Sequence, residues 1–107
     1  MNNFELVNFP NEQSLADAVA SRWRKELQPI NPRVPYHVAL SGGRIATRLF
    51  SSIVRESQRQ AFSVAPVHFF WADERCVPPN HPESNFGLAQ QQLFVPLGVA
   101  PDHIHRI

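Results

Sequence analysis

The sequence predicts an α/β fold of the doubly wound, Rossmann-like kind, in which a parallel sheet is flanked by helices. Three observations predict it. Short apolar runs alternate with segments of helical periodicity, a glycine pair directly follows one of these runs, and another run is only beginning where the 107 residues end. Strands that alternate with helices are joined by right-handed crossovers, which produce a parallel sheet. We therefore expect an incomplete α/β domain.

The composition is that of a small globular intracellular protein. It is 43% hydrophobic and 18% charged, with a formal net charge of +1. The basic residues are scattered, so no polybasic stretch predicts binding to nucleic acid or to an anionic membrane. Cys76 is the only cysteine, which fits a reducing compartment. No signal peptide or membrane-length apolar run is found. We expect a cytoplasmic protein with no nucleic-acid or membrane partner.

The N-terminal third predicts a strand and a helix. A weak alternation over residues 4–9, closed by Pro10, predicts a short edge strand. Apolar residues then recur every four positions and predict a helix over about 14–28. Ser14 followed by Asp17 resembles a capping arrangement, and Pro29 and Pro32 stop the helix.

Two apolar runs predict the central strands. Tyr36–Leu40 leads into the glycine turn, and a helix follows from about Ala46 to about Arg59. Val67–Trp71 is apolar along its length, which predicts a strand covered on both faces, as in parallel sheets with flanking helices.

The last third predicts a loop over 77–83 and a helix over 85–94, capped by Ser84 and ended by the segment 96–98. Residues 101–107 predict the approach to another strand. His103 and His105 would share one side of that strand and could reach one metal ion. No acidic or cysteine partner of metal-site spacing accompanies them, so we interpret them as surface histidines and predict no metal site.

Polar motifs stand at the ends of both predicted central strands, where ligands of parallel sheets bind. The first is the Ser41-Gly42-Gly43 turn. Glycines let a backbone approach a ligand closely, and the following helix N-terminus attracts anions. Ser41 adds a hydroxyl and Arg44 a guanidinium. The pattern is not a dinucleotide or P-loop motif. A tight turn without a ligand remains the alternative.

The second motif is Asp73-Glu74-Arg75. On an extended strand Asp73 and Arg75 share a face, and Glu74 points away from it. Such a pair can hold a polar ligand and orient a proton transfer. A local ion pair that closes the loop is an equal alternative.

Three segments together resemble the 6-phosphogluconolactonase family, which is related to the glucosamine-6-phosphate deaminases. They are 38–44, with the glycine turn, 67–78, with the Trp-Ala-Asp-Glu-Arg sequence, and 83–87, with Ser84-Asn85. The resemblance implies a doubly wound α/β fold and hydrolysis of 6-phosphoglucono-lactone to 6-phosphogluconate in the oxidative pentose phosphate pathway. It implies no metal or organic cofactor.

The resemblance also implies roles for single residues. The Ser41-Gly42-Gly43 turn would help to bind the sugar phosphate, and Arg44, a candidate from its own charge and position, is expected to bind it too. Arg75 would contact the substrate, and Asp73 would position it and support catalysis.

The sequence departs from the family pattern in two ways. The family carries Ser or Thr and then Pro after the glycines, where this chain has Arg44-Ile45-Ala46; Thr47 and Arg44 are the candidates to compensate. The family's general base, a His in an Asp-Gly-His segment, has no counterpart here. Residues 1–107 are therefore expected to form the N-terminal part of one domain, inactive alone, that self-associates or needs its C-terminal half.

Two other functions stay open. One is a non-catalytic module that binds sugar phosphates, which the altered segment after the glycines slightly favours. The other is a glucosamine-6-phosphate deaminase/isomerase, which Arg75 disfavours because that branch carries an aromatic residue there.

Overall fold

The predicted α/β fold is confirmed. A computed structural model describes residues 3–28, 33–60 and 62–107. Helix α1 spans Glu12–Leu27, strand β1 spans Tyr36–Leu40, helix α2 spans Arg44–Arg59 and strand β2 spans Val67–Trp71. Among the described residues, none of the helices combines the length and the apolar character that crossing a bilayer demands.

The N-terminal segment differs from the prediction. Residues 4–9 form no strand. Phe4 and Leu6 are 73% and 77% exposed, and no strand among the described residues pairs with this segment. Helix α1 begins at Glu12 rather than Ser14, since the Asn11 side chain is the cap and accepts the Ser14 N–H at 2.8 Å. Pro29 and Pro32 lie outside the described residues.

Both predicted central strands are confirmed with the predicted bounds. They pair in parallel, in a register that runs from Tyr36 opposite Val67 to Leu40 opposite Trp71. The approach to a further strand is confirmed as well. Ile104 forms a parallel bridge with Phe69 on the other side of β2, and the His105 N–H donates to the Phe69 carbonyl at 2.9 Å.

One face of the sheet carries the core. Val67 and Phe69 are fully buried and Trp71 nearly so, whereas Phe70 on the opposite face is 37% exposed. The prediction that β2 is covered on both faces is therefore wrong for the described residues, because the buried side chains of all the helices join the core on a single face. The helical residues in that core are Ala20, Leu27, Ala46, Phe50, Ile53, Ala89, Leu93 and Phe94.

The third helix, α3, is continuous but irregular. It consists of an α-helical turn Asn85–Ala89, a π-helical segment Gln90–Phe94 and a last turn Val95–Leu97. Ser84 caps it as predicted, accepting the Gly87 N–H at 3.0 Å. The predicted end at residue 94 is wrong, because the Val95 N–H donates to the Gln90 carbonyl and carries the helix on to Gly98, which adopts a φ of 67°.

Candidate functional site

The two strand-end motifs meet at one edge of the sheet. Leu40 and Trp71 are register partners, so the chain leaves β1 and β2 side by side. The Ala72 N–H still donates to the Leu40 carbonyl at 2.8 Å. One residue later, the Ser41 hydroxyl donates to the Asp73 carboxylate at 3.1 Å. Both side chains are exposed, so this edge presents a hydroxyl and a carboxylate to solvent.

The glycine turn needs both of its glycines, for different reasons. Gly43 has a φ of 97°, a backbone conformation that side chains rarely allow. Gly42 lies directly under the amide of Asn85, so that a Cβ at this position would collide with the Asn85 Oδ1. Helix α2 starts at Arg44, directly after Gly43, and within the described residues no side chain caps it. Its first N–H groups are therefore left for water or a ligand.

Arg44 is engaged with α1. Its Nη2 lies 2.6 Å from the Glu12 Oε1, and the Arg48 Nε lies 3.0 Å from the other oxygen of that carboxylate. The Arg44 side chain is still 81% exposed. A phosphate at the glycine turn would therefore compete with Glu12 for this guanidinium.

Asp73 and Arg75 do not form the predicted pair on a strand. Strand β2 ends at Trp71, so the alternation of an extended strand does not apply to them, and that inference is wrong. Arg75 donates from Nη1 to the Glu83 carbonyl at 3.1 Å, whereas Asp73 accepts from Ser41. In the described ranges no ion pair joins these two residues, so the ion-pair alternative is wrong too.

Glu74 has a structural role that the sequence reasoning missed. Its carboxylate accepts the N–H groups of Asn85 at 2.8 Å and Phe86 at 2.9 Å, and the Ser84 hydroxyl at 3.1 Å. Burial raises the pKa of Glu74, but these donors and the Arg75 N–H outweigh it, and the pKa is lowered overall. The visible signal was an acidic strand end followed by a Ser-Asn helix start.

Asn85 was also missed as a contact residue, although Ser84-Asn85 was recognised as a motif. It is buried, and its Nδ2 donates to the Asp73 carbonyl at 3.2 Å while its amide packs on Gly42. One side chain thus holds the two strand-end turns at a fixed distance. A buried polar residue at a helix start is the feature that would have pointed to this role.

The described residues contain no group of three or more His, Cys, Asp or Glu side chains arranged to hold a metal ion. His103 and His105, interpreted above as surface histidines, are half-buried against β2 instead. His37 and His68 lie on β1 and β2.

Known proteins match most of the chain. Residues 10–107 match the family of glucosamine-6-phosphate isomerases and 6-phosphogluconolactonases. The 6-phosphogluconolactonase of Haemophilus influenzae is 34% identical over 101 residues, which make up 94% of this chain and 42% of that protein. The chain thus spans less than half the length of this relative.

Solved structures agree. The crystal structure of the devB protein matches with a TM-score of 0.78 and 35% identity, over 92% of this chain and 40% of that one. The 6-phosphogluconolactonase from Trypanosoma cruzi shares the fold, with a TM-score of 0.79 at 24% identity, over 94% of this chain and 38% of that one. Sequence and structure agree, and the chain belongs to the family of glucosamine-6-phosphate isomerases and 6-phosphogluconolactonases.

Proposed function

We propose that residues 1–107 are the N-terminal part of a single-domain 6-phosphogluconolactonase, which hydrolyses 6-phosphoglucono-lactone to 6-phosphogluconate in the cytoplasmic oxidative pentose phosphate pathway. The observation that carries the proposal is the 3.1 Å contact between Ser41 and Asp73. It joins two motifs at the carboxyl ends of adjacent parallel strands, beside the uncapped start of α2. Ligands of open parallel sheets bind at such an edge.

The glycine turn is the proposed phosphate site. The N–H groups of Gly42 and Gly43, the Ser41 hydroxyl and the start of α2 offer donors and a positive dipole end to an anion. Arg44 joins them by exchanging Glu12 for the phosphate, and Arg75 contributes a second exposed guanidinium to the sugar or phosphate oxygens.

Asp73 has the supporting role in catalysis. Held by Ser41, its carboxylate accepts a hydrogen bond from a substrate hydroxyl and fixes the sugar at the strand ends. In the reaction, water adds to the lactone carbonyl, the ring C–O bond breaks, and the ring oxygen leaves as a hydroxyl. The histidine base that activates this water belongs to the C-terminal half in the family pattern, so this chain supplies binding and orientation only.

The proposed partner is that C-terminal half or, in its absence, a second copy of the chain. The sheet face that carries Ala39 and Phe70 is uncovered in the described residues, and β1 has an open edge. Exposed apolar strands favour association because burial removes them from water.

The binding step is tested on the chain itself by amide NMR with 6-phosphogluconate, the stable product. We expect ligand-dependent shifts at Gly42, Gly43, Arg44 and Arg75. The Gly42→Ala variant should lose them, because its Cβ displaces Asn85 and moves the turn. A dispersed spectrum without shifts at these four positions would contradict the assigned site.

The catalytic step is tested by joining the chain to the C-terminal remainder of the Haemophilus influenzae relative. We expect lactone hydrolysis above the spontaneous rate, lowered about 100-fold by Asp73→Asn, a loss typical of a group that acts at the reacting substrate. Asp102→Asn, which removes an exposed carboxylate elsewhere, is the matched control. Binding without hydrolysis in the joined protein would favour the non-catalytic module, and ammonia release from glucosamine 6-phosphate would favour the deaminase.

A further inference from the structure

Four of the five histidines form a cluster outside the proposed site. The Nδ1 of His68 lies 2.9 Å from the Nε2 of His105. The His103 ring stacks on His68 with centroids 4.1 Å apart, and the His37 ring meets His68 edge-on at 6.0 Å. The cluster lies on the sheet face opposite the core, so the hydrophobic core does not hold it together.

The contacts limit how many protons the cluster accepts. A carbonyl oxygen only accepts, so the His103 Nδ1, 3.1 Å from the Val67 carbonyl, must carry a hydrogen. Between His68 and His105, one facing nitrogen donates and the other accepts. A first extra proton can enter at an outer nitrogen and leave this bond intact. A second would place hydrogens on both facing nitrogens and break it.

Burial and the charges of neighbouring groups also oppose the protonation of the cluster. Burial lowers the pKa of His68, and the nearby His103, His105 and His37 lower it further, with Asp102 opposing them. The pKa of His68 in the ordered cluster lies below its ordinary value of 6.5. His68 therefore stabilises the ordered cluster fully only at pH values above 6.5. This stabilisation of the cluster is lost as the pH falls from 6.5 toward the lowered pKa of His68.

The cluster holds the third strand position of the sheet. The His105 N–H donates to the Phe69 carbonyl, and Ile104 bridges to Phe69. Side chains before and after the bridge, those of His103 and His105, rest on β2. We propose that this cluster is an acid-sensitive latch, which pairs residues 103–105 with β2 at neutral pH and releases them in mild acid.

The groups around His68 are few. His37 faces it from β1, and His103 and His105 face it from the chain segment after α3, with Asp102 as the nearby acid. The Phe70 ring stacks on His105 at 4.6 Å and carries no charge. Of these groups only Asp102 raises the pKa of His68, whereas three histidines lower it. The positive charge that added protons bring to the cluster is therefore mostly not balanced by a negative charge.

The test is amide hydrogen exchange on the 107-residue chain, corrected for the intrinsic pH dependence of exchange. The His105 amide reports the latch, and the Ala72 amide, bonded to Leu40 at 2.8 Å in the same sheet, is the internal reference. Between about pH 7.5 and about pH 5, we expect protection at His105 relative to Ala72 to fall about fivefold, as the loss of one hydrogen bond of typical net strength implies. Equal protection at both pH values would overturn the proposal.

Two variants sharpen the result. His68→Gln removes the central titrating ring, so the acid-induced loss at His105 should shrink strongly. His81→Gln removes the histidine outside the cluster and should leave that loss unchanged. If His68→Gln does not fold, the ¹⁵N titration of His68 in the unaltered chain decides. A midpoint at or above 6.5 would contradict the latch, and one below it would support it.

Discussion

Glu74 fixes the start of α3 to the end of β2. Its two oxygens accept donors from Ser84, Asn85 and Phe86, so one carboxylate satisfies groups that a helix start otherwise leaves to water. The same interaction holds Asn85 against the Gly42 turn. A residue without a direct role in binding therefore determines the geometry of the proposed phosphate site.

Glu74→Gln should lower the free energy of unfolding by about 2 kcal/mol, since charged hydrogen bonds contribute more than neutral ones. Urea denaturation measures this, with the exposed Glu83→Gln as the matched control. The pKa of Glu74 is lowered from 4.5, so its stabilisation is present above pH 4.5 and is lost as the pH falls toward the lowered value. The variant should lose this part of the acid sensitivity, and an unchanged acid profile would contradict the assigned role.

For single residues, the sequence predicted which residue types gather at the strand ends but not which side chains form hydrogen bonds with each other. Ser41 and Asp73 come together because parallel pairing places consecutive strand ends side by side, which follows from topology. The separation of Asp73 from Arg75 could not be predicted, because it depends on where β2 stops and on the loop that brings the Glu83 carbonyl near Arg75.

Helices α1 and α2 are joined by a buried ion pair. The Arg24 Nε lies 2.6 Å from the Glu56 Oε1, and the two side chains are only 9% and 12% exposed. A buried charge that loses its partner keeps its desolvation cost. The pair therefore opposes any shift of one helix along the other that would separate the two charges.

Arg24→Met should lower the free energy of unfolding by about 3 kcal/mol, because it removes the close partner of the Glu56 carboxylate and leaves it only the 3.8 Å contact with the exposed Arg59. Combining it with Glu56→Leu should restore much of the loss, which a double-mutant cycle in urea measures. Arg22→Met is the control. Its surface pair with Glu26, at 3.5 Å and 83% exposed on the arginine side, should contribute less than about 1 kcal/mol. Additive effects of Arg24→Met and Glu56→Leu would contradict the coupling.

The strands were predictable at the element scale, and the helix ends were not. Apolar runs bounded by Pro35 and Ser41 leave little freedom for β1. The start of α1 depends instead on which of two possible caps, Asn11 or Ser14, reaches an N–H group. That choice is made by local geometry, which a pattern of residue types does not contain.

At the scale of the whole molecule, the described residues form a sheet that helices cover on one face. Its core lies on the side of Phe69, and the opposite side presents Phe70 and the histidine cluster. The order of elements predicted the parallel pairing, but an apolar run does not reveal whether helices cover one face of the sheet or both, and the described helices contribute their core residues on the side of Phe69. This is why β2 was predicted to be buried on both sides.

Self-association should therefore depend on Phe70. We expect sedimentation velocity to show a concentration-dependent increase in apparent mass that Phe70→Asp reduces, because a charge on this face opposes its burial. Val95→Asp, at a position 66% exposed on α3, is the control and should leave association unchanged. A monomer at every concentration would contradict self-association of the chain.

The π-helical segment Gln90–Phe94 has a consequence for comparing sequences. Such a segment holds one more residue than the α-helix that would replace it, so a homologue with one residue fewer can keep the same core on both sides of the gap. Removing a residue from Asn85–Ala89 would rotate all that follows by about 100° and take Leu93 and Phe94 out of the core. An alignment should therefore place a one-residue gap inside Gln90–Phe94 rather than in Asn85–Ala89.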